Sequence, residues 1–163
     1  MDYNEFNNKI DLDTLFVEID EALEESPLEY VDVPCGMYEV KLTKLEMGET
    51  SSGKLACKGR FKVLTGEYKG QNIFYTQVLT QGFHYVQCVK FLDTLGTEVD
   101  CNISNHKPLI LNHHQGAYGF YSDLFKEVYQ ACRGKKEFAL EYGENDKGFK
   151  TYKVLEVFNV GTN

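Results

Sequence analysis

The residues whose types and spacing could do chemistry lie in two adjoining stretches. The first, M-G-E-T-S-S-G-K-L-A (47–56), sets Gly48, Gly53 and Lys54 at the spacing G-x-x-x-x-G-K, the opening of a loop that cradles nucleotide phosphates. Such a loop joins a buried parallel strand to a helix whose N–H groups hold the phosphates, and a Ser or Thr after the lysine binds magnesium. Here Leu55 follows Lys54, the segment beyond it alternates with period two, and no apolar strand ending in Asp follows downstream. The stretch therefore reads as a turn between two strands, its Gly and Ser residues serving turn chemistry. The second stretch is K-G-R-F-K (58–62). On a strand, Lys58, Arg60 and Lys62 form a row on one face, ~6.6 Å apart, near the spacing of phosphates along an extended single strand. Lys41, on the preceding strand, flanks that row, and Gly59 leaves room for a close approach. Of the adjacent aromatics Phe74 and Tyr75, one must point outward, and Tyr75 is the expected stacking platform. Cations beside an exposed aromatic suit single-stranded nucleic acid. A solvated edge whose lysines block strand pairing fits the pattern equally well.

Other candidates are weaker. His106, His113 and His114 lie in an expected loop without helical spacing or a nearby carboxylate, so a metal site is not expected. Tyr118, Phe120 and Tyr121 form a second aromatic group in the same region. The five cysteines are odd in number and widely spaced, without a C-x-x-C pair, which argues against disulfides and zinc. No nucleophile-and-base signature appears. The chain is expected to be no enzyme and to need no cofactor.

The elements that position these residues follow from periodicity. Alternation over Met37–Met47, Leu55–Leu64 and Gln71–Leu79 predicts three antiparallel strands. Phe83, Val86, Val89 and Leu92 at helical steps predict a helix closed by Gly96. Residues 96–121, with Pro108, read as irregular. Ser122 is expected to cap a second helix, and strands over Lys136–Tyr142 and Thr151–Val160 end the chain. Five short strands with helices between the third and fourth are the element order of an OB-fold barrel. The fold class is thus mainly β: a five-stranded, OB-fold-like antiparallel barrel with one or two inserted helices, spanning 35–163.

Charge divides the 163 residues unequally. Net charge is −8, but residues 1–34 hold eleven acids against Lys9 alone, a net −10, and the remainder is +2. Leu12, Leu15, Phe16, Ile19, Ala22 and Leu23 recur at helical steps within this acidic arm, ended by Ser26-Pro27. Phe16, Ile19 and Leu23 are its candidate partner-binding residues. The arm could also lie over the basic body and compete with a polyanion. No apolar run approaches the ~20 residues that span a bilayer. The acidic start lacks an apolar core, so a cytoplasmic protein is expected.

V-P-C-G-M-Y-E-V-K-L (33–42), F-K-V-L-T-G-E-Y-K-G-Q-N-I-F (61–74) and Q-V-L-T-Q-G-F (77–83) carry a resemblance over about residues 30–160. The chain resembles a family of small phage and prophage proteins catalogued as a domain of unknown function. They are found among replication and recombination genes and thought to be OB-fold single-stranded DNA-binding proteins. The resemblance implies a non-enzymatic phage or prophage single-stranded DNA-binding protein in a bacterial cytoplasm; on the strand pattern, Lys41, Lys54, Lys58, Arg60 and Lys62 are expected to contact phosphates and Tyr75 a base. It departs at the C-terminus: V-F-N-V-G-T-N has no acids, against the acidic partner-recruiting tail of many single-stranded DNA-binding proteins. The rival expectation is an interaction module whose acidic helix docks, as a DNA mimic, on a phage or host replication or recombination protein. An exposed strand edge could pair two copies into a homodimer, though nothing in the sequence demands it.

Overall fold

The computed structural model describes residues 31–112 and 116–161, together with Phe16 and Ile19. Five strands form one antiparallel sheet: β1 (Gly36–Glu49), β2 (Leu55–Val63), β3 (Asn72–Val78), β4 (Lys136–Glu144) and β5 (Lys150–Asn159). Three helices lie between β3 and β4: α1 (Gly82–Asp93), α2 (Ile103–Asn112) and α3 (Gly116–Cys132). The strands follow the period-two segments to within a few residues. The helical region does not follow the expectation. Residues 96–121 are largely helical, and α3 begins six residues before Ser122. Asn102 caps α2, its Oδ1 accepting from the Ser104 N–H at 2.9 Å, while Asp100 Oδ1 accepts from Asn102 N–H at 2.9 Å. That short Asx cap starts a helix that tolerates Pro108 in its second turn.

The strand order is β3-β2-β1-β4-β5. The sheet is therefore open, with β3 and β5 as its edges, and the expected barrel does not close through a backbone ladder. Side chains bridge the gap instead. The Tyr152 hydroxyl donates to the Phe74 carbonyl, and the Tyr152 ring meets Tyr75 edge-on at 5.0 Å.

Inward residues of all five strands meet α1 and α3. Val40, Phe61, Val63, Leu92, Phe125, Phe138 and Leu140 are fully buried. Phe91 of α1 stacks on Tyr75 at 4.4 Å, and Phe61 meets Phe138 edge-on at 6.3 Å. Offset and edge-on aromatic pairs add stability beyond the area they bury.

β1 departs from strict alternation. Leu42 pairs with Phe61 and Lys44 with Arg60, leaving Thr43 as the extra residue of a bulge. Thr43 is buried, donating to the Arg60 carbonyl at 3.2 Å and accepting from Arg60 Nε at 2.9 Å. The bulge changes the parity of the strand. Val40 and Leu42 face the core before it, Leu45 after it, and Lys44 and Glu46 are exposed.

The seam bond gives a direct test. Tyr152→Phe keeps the ring and removes the donor, which should cost about 1 kcal/mol and lower Tm by about 2–4 °C. An unchanged denaturation midpoint would show that the bond contributes nothing.

Candidate nucleic-acid interface

Cross-strand register arranges the outer face of β1, β2 and β3 in three rows. Glu46, Lys58 and Thr76 form one; Lys44, Arg60 and Phe74 the next; Lys41, Lys62 and Asn72 the third. Neighbours in a row are about 5 Å apart, close enough to meet one ligand. The expected ladder of Lys58, Arg60 and Lys62 thus stands on one face, each residue half-buried, with Lys41 beside Lys62. Lys44 joins them, a position the sequence reading missed because the bulge at Thr43 shifts the strand's parity. Its ammonium lies 3.0 Å from Glu46 Oε1. Such an exposed pair is worth little and is easily exchanged for another anion.

Lys58 lies along the backbone of β1: a Cβ at Gly48 would stand 3.0 Å from Lys58 Cδ. Lys54 sits at the tip of the β1–β2 hairpin and is exposed. Its loop is a β-turn, not a phosphate cradle. Thr50 N–H donates to the Lys54 carbonyl at 2.8 Å, and Gly53 N–H donates to the Thr50 carbonyl at 2.9 Å. Gly53 has φ +82°, a region that favours glycine.

The aromatic platform is not the expected one. Tyr75 is only 4% exposed, stacked on Phe91 beneath the sheet, so its ring cannot meet a base. Phe74 is 58% exposed and stands opposite Arg60 in the middle row. The signal was present: Ile73 and Tyr75 share a face, and Ile73 opposite Phe61 fixes that face as the core. Gly59 is likewise turned inward. A Cβ there would meet Leu45 Cδ1 and Tyr75 Cβ at 3.5 Å, so its bareness accommodates the core and not a base.

Of the histidines, His113 and His114 lie outside the described residues. His106 Nε2 donates to the Asp100 carbonyl at 2.8 Å and approaches that residue's carboxylate at 3.4 Å. The Asn102 backbone bond first, then the Asn105 side chain and His106, hold the Asp100 carboxyl below the usual range. Among the described residues no cluster of three or more His, Cys, Asp or Glu is placed to hold a metal. Tyr118, Phe120 and Tyr121 lie on α3 and not in a loop; Tyr121 is buried and Tyr118 exposed. Phe16 and Ile19 of the arm are helical and exposed, while Leu23 lies outside the described residues. No described helix is long and apolar enough to cross a membrane.

Residues 18–86 match the model of a family described as a protein of unknown function (DUF669). This match takes in β1, β2 and β3, the three strands that carry the cationic face, and stops in the first turns of α1. No curated protein matches the chain.

Burial of the phenols predicts an alkaline transition. Desolvation raises the pKa of Tyr75 and of Tyr152 well above the ordinary value of 10.0. Both stay neutral in the folded chain after the unfolded chain has ionised. Their contribution is therefore complete below pH 10 and falls as pH rises above it, by about 1.4 kcal/mol per pH unit for each such group. Denaturant midpoints between pH 8 and 11.5 should drop above pH 10, and Tyr75→Phe should make that fall shallower. A fall of equal steepness in the variant would contradict the assignment.

Proposed function

We propose that this chain is a non-enzymatic single-stranded DNA-binding protein of a phage or prophage, acting in replication or recombination. The observation that carries the reading is Phe74: an exposed phenyl ring at the β3 end of the row that holds Lys44 and Arg60, on the same face as Lys58 and Lys62. A largely exposed apolar ring beside cations provides a stacking surface next to phosphate contacts. The five-strand order with an open β3–β5 seam is compatible with an OB-fold, a partly open barrel that binds oligonucleotides on strands 2 and 3 and adjoining loops. The likeness to small phage and prophage proteins, stated on the turn and core motifs, supports the cellular setting.

In this reading Lys41, Lys44, Lys54, Lys58, Arg60 and Lys62 hold the backbone, and Phe74 stacks a base. These contacts are sequence-independent. A second reading has one observation in its favour: Phe16 and Ile19 are 58% and 44% exposed. An acidic arm offering such residues suits a protein partner, and the rival reading makes that its principal role.

Fluorescence anisotropy with oligo-dT at several salt concentrations separates the two. Engagement of about three phosphates by these cations together predicts a log–log salt slope of about −2. Phe74→Ala should weaken binding about tenfold, within the range for losing one stacked base. Lys58→Glu with Arg60→Glu should weaken binding to every sequence alike. A slope near zero, or full binding by the doubly reversed variant, overturns the DNA reading.

A further inference from the structure

Between the unpaired edges β3 and β5 the surface opens into a pocket of about 370 Å3, a size within the range of small-ligand sites. One bank is β3, presenting Asn72 and Phe74; the other is the end of the β4–β5 hairpin, presenting Tyr142 and Lys150. The third wall is the extended chain at Asp32 and Val33. It is pinned there by Val31 N–H, which donates to Gln71 Oε1 at 3.1 Å, and by burial of Val33.

The lining has a particular chemistry. Phe74 and Tyr142 give an aromatic side chain from each bank. Asn72 offers an amide, both donor and acceptor, which has no hydrogen-bond partner among the described residues. Lys150 Nζ lies 5.3 Å from the centre of the Tyr142 ring and 3.9 Å from Glu144 Oε1, at the mouth. The Asp32 carboxylate on the wall repels a phosphate from the interior, so an anion belongs at Lys150 and a neutral ring inside. Asn72 and Phe74 are also the β3 ends of two of the rows on the cationic face, so the pocket is continuous with that face.

The geometry points to a nucleobase pocket at the β3–β5 seam. One unpaired base of a strand lying on the outer face turns into it, against Phe74 and Tyr142, with its edge at Asn72 and its phosphate at Lys150. This rests on the single-stranded DNA reading and adds to it an enclosed site in which the base on Phe74 meets a second ring and an amide.

The test compares dT12 with a dodecamer of the same length built from abasic units, by anisotropy, on the full chain. Tyr142→Ala should lose about tenfold on dT12 and less than about twofold on the abasic strand, while Tyr142→Phe keeps wild-type affinity for both. Asn72→Ala, a change on the surface strand that leaves the core intact, should lose affinity for dT12 alone. Equal losses on both strands, or full dT12 affinity in both the Tyr142→Ala and Asn72→Ala variants while Lys58→Glu with Arg60→Glu abolishes it, would overturn the pocket and leave the DNA reading standing. Failure of the wild-type chain to bind either strand would overturn the reading beneath it.

Discussion

The Tyr152 hydroxyl on the Phe74 carbonyl is the contact on which the rest of the architecture turns. A sheet of five strands with unpaired edges exposes backbone donors and acceptors and invites pairing with other chains. Here the two edges are held to each other by a side chain, and the rings of Tyr75, Phe91 and Tyr142 pack around Tyr152. The bond fixes the backbone of β3 at the very residue whose ring faces solvent. It also sets the β4–β5 hairpin end opposite β3 at a distance that leaves a pocket and not a ladder.

Charge distribution gives the second constraint. The body carries a small excess of cations, concentrated by strand register on one face, and residues 1–34 carry a net −10. The arm joins the body at Val31–Val33, beside Phe74 and Lys150. That point of attachment borders the cationic face, of which Phe74 is part.

Much of this was legible in the residues because strands with one solvated face alternate with period two. The bounds of β1 to β5, the K-x-R-x-K row and the failure of the G-x-x-x-x-G-K loop all follow from that period. What escaped had specific physical causes. Thr43 inserts one residue without leaving a Gly or Pro to mark it, so Lys44 seemed to belong to the wrong face. Phe74 and Tyr75 are both aromatic, and only the partnership of Ile73 with Phe61 decides which is inside. Pro108 made 103–112 read as irregular, and the Asp100–Asn102 cap went unread, because a cap depends on two short side chains and a proline is conspicuous. The gap between β3 and β5 had no local signal at all, being a long-range matter of how five strands fit around Phe61, Phe125 and Phe138.

The bulge at Thr43 carries a consequence for how such a chain can change over generations. Gain of a single codon within 42–44 would exceed the one extra residue that the bulge absorbs and swing Lys44 and Glu46 toward Phe61 and Phe138, while Leu45 would turn to water. Loss of a codon in the hairpin tip at 50–54 would only shorten a turn. Length is therefore inherited more strictly in the middle of β1 than at its end, and relatives that vary in size should do so at the tip.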